Sequence, residues 1–262
     1  PSHFTWMDTN HPAGTPREGY PVEIQALWIR LLRQLAVLKA EPWDGRGESW
    51  SDLAKRAEDN FHRYFWLEDC GWYADVLLAP SGQPARTAPP SNALRSNTLL
   101  VVTLGIDRHP NAARRARRTV DAVARLLVVP GALRSLAPLP VIPPLPIHAN
   151  HGGLLNDPDH PYWPRYEGDE DTRRKPAYHN GTAWTWTFPG FCEALIRANP
   201  DDARARAAAR SYLASVDTLL AGNCEGHLPE ITDGDAPHAQ RGCDAQAWGM
   251  SEVLRVWRLI GS

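Results

Sequence analysis

No run of 18 or more apolar residues occurs in this 262-residue chain, so no segment reads as a helix able to span a bilayer. A basic-plus-apolar leader is also missing at the N-terminus, which favours a cytoplasmic protein, although a chain that opens on Pro1 leaves room for an address already lost. There is no CxxC pair. Cys70, Cys192, Cys224 and Cys243 stand far apart, which fits neither a zinc site nor the dense disulfide framework of a small secreted domain, and predicts reduced, buried thiols. An excess of one charge is lacking as well: 28 basic and 30 acidic residues leave a net charge of -2. The electrostatic footprint that suits nucleic acid or an anionic membrane is therefore absent, and a neutral ligand fits better. No internal repeat is detectable.

What the chain does have is apolar and aromatic. Hydrophobic residues make up 43% of it, enough at this length for one large core, so a single domain is expected. Eleven Trp supply flat apolar faces with one N–H donor each, a chemistry that suits core packing and, for a minority, stacking on sugar rings.

Periodicity predicts seven helices. From Val22 to Ala40 the residues Ile24, Leu27, Trp28, Leu31, Leu32, Leu35 and Leu38 recur at spacings of three and four behind Pro21. A second pattern covers Ser49 to Phe65 through Leu53, Ala57 and Phe61, with Ser49 or Ser51 as its cap. Further helices are predicted over Asn97 to Ile106, Asn111 to Val129, Thr182 to Ala198, Asp201 to Leu220 and Ala245 to Ile260. Between them runs a long segment rich in Pro and Gly, Pro130 to Pro176, which Pro prevents from being helical throughout. Its Trp and Tyr residues point to an ordered wall around a cleft. Strand-like pieces such as GWYADVLL are too few for a central sheet, so the expected class is all-α with elaborate loops.

Three stretches concentrate reactive groups. Asp8 lies in TWMD beside Trp6, close to Phe4 and Met7; a carboxyl held against apolar surface resists ionisation and can serve as a general acid, while the same position suits a cap or turn. Glu230 stands between Pro229 and Ile231 in a loop approaching the last helix, and is preferred over Asp233 and Asp235, whose TDGD setting is also a good turn. Tyr178, His179, Trp184 and Trp186 gather hydroxyl, imidazole and indole groups at the mouth of a predicted helix. Two Trp spaced by two on a helix do not share a face, so one of the pair is expected to be core. His148, His151, Asp157, Asp159 and His160 match no zinc or calcium spacing, and no metal or other cofactor is expected.

Three long segments, TWMDTNHPAGTPREGYPVEIQALW, YEGDEDTRRKPAYHNGTAWTWTFPGFCEAL and LPEITDGDAPHAQRGCDAQAWGMSEVLR, resemble the glucosidase domain of glycogen debranching enzymes, the amylo-α-1,6-glucosidase type. LRSNTLLVV from Leu94 and VPGALRSLAP from Val129 fall between them in the family's order. The resemblance implies an (α/α)6 barrel whose loops at one end form a sugar pocket. It further implies an inverting hydrolase acting on an α-1,6 branch of glycogen or a related α-glucan. By the resemblance Asp8 is the general acid and Glu230 the general base, one donating a proton to the glycosidic oxygen while the other activates water on the opposite face. Trp6, Tyr178, His179 and Trp184 are then sugar contacts, with Arg17, Glu23 and Arg134 as further polar candidates; Arg17 and Glu23 equally suit fixing the loop that leads into the first helix. The family also carries an earlier Gly-Arg-Asp-Thr segment and a β-rich domain that are not in these residues, so the chain reads as the C-terminal part, residues 1–262, of one barrel domain. Another α-glucosidase of the same class, or a non-catalytic carbohydrate-binding fragment, remain the competing readings.

Overall fold

The structure, a computed structural model, describes residues 5–9, 14–39 and 47–261. Helix α1 (Val22–Val37) starts directly after Pro21, and its first amide finds an acceptor outside the helix, the Asp75 carbonyl at 2.9 Å. Ser49 caps α2 (Trp50–Tyr64) by accepting from the Asp52 amide. A buried 3-10 turn, Ser96–Thr98, leads into α3 (Leu99–Thr103), and α4 (Ala112–Leu126) follows. Asp169 caps a wide turn at Glu170–Arg174 that runs into α5 (Lys175–Tyr178). The remaining helices are α6 (Phe188–Ala198), α7 (Ala203–Ala214), α8 (Asp217–Leu220) and α9 (Ala247–Gly261).

Each of the seven predicted helices contains one of these elements, with two corrections. The stretch expected to be helical from Thr182 turns helical only at Phe188, where Pro189 occupies the first turn; Ala183 and Trp184 before it are in a strand. Asp201 to Leu220 is not continuous but breaks between α7 and α8 near Ser215.

The all-α expectation also needs amending, because short strands join the loops. Gly19–Pro21 (β1) pairs antiparallel with Val76–Leu78 (β4), and Trp66–Leu67 (β2) with Trp72–Tyr73 (β3). A five-stranded antiparallel ribbon gathers strands from three distant stretches, in the order Val128–Val129 (β5), Ala132–Arg134 (β6), Ala183–Trp184 (β7), Ile231–Thr232 (β8) and Gln240–Arg241 (β9). With two or three residues per strand it is a clasp between loops rather than a central layer. Helices carry the core.

One core cluster unites α3, α4, α6, α7 and α9 around Leu99, Val123, Phe188, Phe191, Leu213 and Val256. A second joins α1, α2 and α3 around Ile29, Phe61, Tyr73 and Val101. Both α1 and α9 keep part of their apolar surface in solvent: Leu27, Trp28 and Leu31 on the first helix, Leu254, Trp257 and Leu259 on the last. No helix of the described residues is long and apolar enough to cross a membrane. All four cysteines are free, but the expected burial holds only for Cys192; Cys70 and Cys224 are half-buried and Cys243 is exposed in the loop after β9.

Candidate active site

Glu230 sits immediately before β8, held by the ribbon itself: its amide donates to the Cys243 carbonyl at 2.8 Å, and its carbonyl accepts from the Thr185 amide at 3.4 Å. The side chain is gripped from three directions. Tyr178 donates its hydroxyl to Oε1 at 2.7 Å, Gln246 donates Nε2 to the same oxygen at 2.9 Å, and the Cys243 amide donates to Oε2 at 3.1 Å. Gly242 makes that last contact possible. It lies at φ +72, and a Cβ on it would come 2.4 Å from Glu230 Oε2, inside any van der Waals contact. Gly242→Ala therefore pushes the carboxylate aside and strains the turn. The expected result is about a 10²-fold loss of turnover, with a stability cost of about 1–2 kcal/mol, read from initial rates and a thermal melt.

An aromatic wall stands beside this carboxylate. Tyr178 ends α5, His179 follows it, and β7 brings Trp184 alongside, with its indole N–H donating to the Tyr178 carbonyl at 2.9 Å. The ring centroids of Tyr178 and Trp184 are 4.9 Å apart, and those of His179 and Trp184 stack at 5.1 Å. Trp6 drops onto this surface edge-on, 5.3 Å from His179, 5.0 Å from Trp184 and 4.9 Å from Trp186. One of the pair Trp184 and Trp186 is core, as expected, for Trp184 is buried and Trp186 half-buried, although the helix from which this was argued is not there. In the strand-and-turn geometry both indoles touch Trp6, and Trp186 stacks on Trp248 at 4.9 Å. Burial in this wall, together with Glu230, raises the Tyr178 phenol well above its ordinary range, so its hydroxyl stays a donor.

Asp8 is carried to the same wall by segment 5–9. Met7 and Thr9 on either side are buried, and Thr9 Oγ1 lies 2.5 Å from His179 Nδ1, which pins the segment down. Asp8 itself is exposed. The expected carboxyl against apolar surface is corrected on this point: its two neighbours take the inward positions and turn it outward. What segment 5–9 places directly against the wall is Trp6, on His179, Trp184 and Trp186, and Thr9, on His179.

Arg17 and Glu23 lie elsewhere, in a buried ionic hub under the segment. Arg17 grips Glu23 with both terminal nitrogens at 2.7 Å and reaches Asp75 through Nε at 2.7 Å and Nη2 at 3.0 Å. Arg95 Nε lies 3.2 Å from the same Asp75, and its other nitrogens donate to the His179 and Ser135 carbonyls and to Asn180 Oδ1. Burial pushes the Arg95 guanidinium down to about 10 against the pull of Asp75. Asn97 completes the hub, donating to Asp75 at 3.1 Å and accepting the Trp6 indole N–H at 2.7 Å. Arg134 is committed to the ribbon: it donates to the carbonyls of Gly234 and Leu126 at 2.9 and 3.1 Å, and none of its contacts is with Glu230, Tyr178 or Trp6.

Gln246, Asp75, Arg95 and Asn97 were missed by sequence reasoning. Gln246, Arg95 and Asn97 sit in quoted motifs and Asp75 in the strand-like GWYADVLL, but no spacing rule within a segment links any of them to its partner. Asp233 accepts from the Tyr166 amide at 2.9 Å and from Arg241, so it is a buried support rather than a turn residue alone. Among the described residues no group of three or more His, Cys, Asp or Glu is placed to hold a metal. A cavity of about 1080 Å³ lies on the Arg17 side of the segment, lined by Thr5, Met7, Tyr20, Gln25 and His148 but not by Glu230 or Tyr178.

Several comparisons bear on this arrangement. The chain resembles the mannosylglycerate hydrolase of Thermus thermophilus, described as GH63, at 17% identity and a TM-score of 0.51, over 91% of this chain and 46% of that one. It resembles the neutral trehalase Nth1 of Saccharomyces cerevisiae at 11% identity and a TM-score of 0.54, over 92% of this chain and 39% of that one. At such identities the likeness speaks for the fold, the (α/α)6-barrel class of these glycosidases, and the chain spans less than half the length of either. Curated protein sequences yield no match. The family whose pattern matches residues 2–141 and 153–255 is described as amylo-alpha-1,6-glucosidase. That match takes in the Trp6 segment, the Tyr178 wall and the Glu230 clasp together, and this chain belongs to the amylo-alpha-1,6-glucosidase family of glycoside hydrolases.

Proposed function

We propose that the protein removes glucose from α-1,6 branches of glycogen or a related α-glucan by an inverting, metal-independent hydrolysis, with Asp8 as general acid and Glu230 as general base. The observation that carries the reading is a triply hydrogen-bonded Glu230 carboxylate beside a wall of Trp and His on which the Asp8 segment is seated through Trp6 and Thr9. Chemistry requires this division of labour. One carboxyl gives its proton to the leaving oxygen, and the other, ionised and firmly aimed, takes one from water. Trp6 and Tyr178, each half-buried, offer flat faces for a pyranose ring, while Trp184 and His179, expected as sugar contacts, are buried and stacked on each other behind them.

A second reading has a specific observation behind it: the structural neighbours are named for mannosylglycerate and trehalose chemistry, so the barrel class serves several glycosides. The deciding experiment follows glucose release from an α-1,6-branched oligosaccharide, a linear α-1,4 chain and a glucosyl disaccharide, with proton NMR of the first product. Release from the branched substrate as the β-anomer is expected, with Asp8→Asn lowering it by at least about 10²-fold. Preference for the linear chain or the disaccharide moves the linkage assignment, and first-formed α-glucose excludes inversion. Saturable calorimetric binding of maltooligosaccharides without turnover makes the chain a carbohydrate-binding fragment instead.

A further inference from the structure

The three donors around Glu230 are unevenly shared between its two oxygens, and the unevenness has a chemical consequence. A carboxylate oxygen offers two lone-pair directions. Tyr178 and Gln246 use both on Oε1, while among the described residues Oε2 accepts only the Cys243 amide. The backbone around Gln246 is fixed, since its amide donates to the Leu228 carbonyl at 2.9 Å as the chain turns into α9. Tyr178 is equally settled between Tyr166 and Trp184, with ring centroids 5.3 and 4.9 Å away.

We propose that Gln246, together with Tyr178, is a positioning residue that saturates Oε1 and leaves the second lone pair of Oε2 as the atom that takes the proton from water. The inference rests on the reading of Glu230 as the base. Without Gln246 the carboxyl group can turn about its last bond, and Oε1 and Oε2 become alternative acceptors with different aims. An interaction that orients the base acts on the transition state rather than on the bound sugar, so its loss appears in kcat and not in KM.

The test uses the full chain with Gln246→Met, which keeps length and volume but has no donor, and Tyr178→Phe, which removes only the hydroxyl, assayed on the substrate the wild-type protein cleaves fastest. Each variant is expected to lower kcat by roughly 10- to 100-fold, the effect of one hydrogen bond to a charged group, with KM within twofold and the melting temperature little changed. Wild-type kcat in a folded Gln246→Met protein overturns the proposal, as does a raised KM at unchanged kcat, which would make Gln246 a sugar contact. If Gln246→Met does not fold, Tyr178→Phe decides by the same two criteria. Glu230→Gln run in parallel separates the two levels: an inactive Glu230→Gln beside an unaffected Gln246→Met removes only the clamp. A fully active Glu230→Gln, or a wild-type chain that releases no sugar, removes the base and the clamp with it.

Discussion

Glu230→Gln is expected to lower glucose release by about 10²- to 10⁴-fold, the range a positioned general base contributes, while leaving the protein folded. The two halves of that expectation have separate causes. An amide has the shape of the carboxylate, and its oxygen still accepts from Tyr178 and Gln246, so most of the local bonding survives. Its NH₂ then faces the Cys243 amide, donor against donor, at a cost of about 1–3 kcal/mol. What the amide cannot do is take a proton from water at neutral pH. Initial rates on the preferred substrate, paired with a thermal melt, distinguish chemical loss from unfolding. Undiminished release would show that some other carboxylate is the base, and Asp233 is disqualified in advance because its oxygens are committed to the Tyr166 amide and Arg241.

The largest effect on stability is expected from Asp75→Leu. Asp75 lies between β3 and β4 and is 2% exposed, with Arg17, Arg95 and Asn97 on its carboxylate and the Val22 amide on its carbonyl. Removing its charge leaves two buried guanidinium groups with Glu23 as the remaining anion of the hub. Breaking such a buried network from one side costs about 3–5 kcal/mol. At roughly 2–4 °C per kcal/mol for a chain of this size, the melting temperature falls by about 6–20 °C. The loss reaches the site as well, because Asn97 anchors the Trp6 indole and Arg95 holds the backbone of His179. Weakened activity should therefore accompany the lower melting temperature even at temperatures where the variant is folded. A melting point within about 2 °C of wild type, less than one kcal/mol on that scale, would mean that the hub relaxes around the vacancy, and its role as the support of segment 5–9 would have to be given up.

Arg17 and Glu23 show where sequence reading reaches its limit. Both were candidates for sugar contact and for fixing the loop into α1, and the motif that contains them is compatible with either. Only the structure reveals that Arg17 grips both Glu23 and Asp75, the latter 58 positions away in the chain. Trp184 and Trp186 make the same point through secondary structure. An apolar run next to a helix reads as more helix, and only pairing with β6 and β8 makes Ala183–Trp184 a strand and leaves both indoles beside Trp6.

The seven helices, by contrast, were legible because their signal is local: apolar residues at spacings of three and four need no knowledge of what they pack against. Motif order along the chain was legible for a similar reason, since it survives as text, and it carried the family. What tertiary structure decided is everything that depends on partners far apart in sequence: the Trp6 indole on Asn97 across 91 residues, Tyr178 on Glu230 across 52, and the three donors shared between the two oxygens of that carboxylate. Hydrogen bonds of this kind follow from how loops are clasped by the ribbon, and no pattern within a single segment encodes which loop will supply the donor.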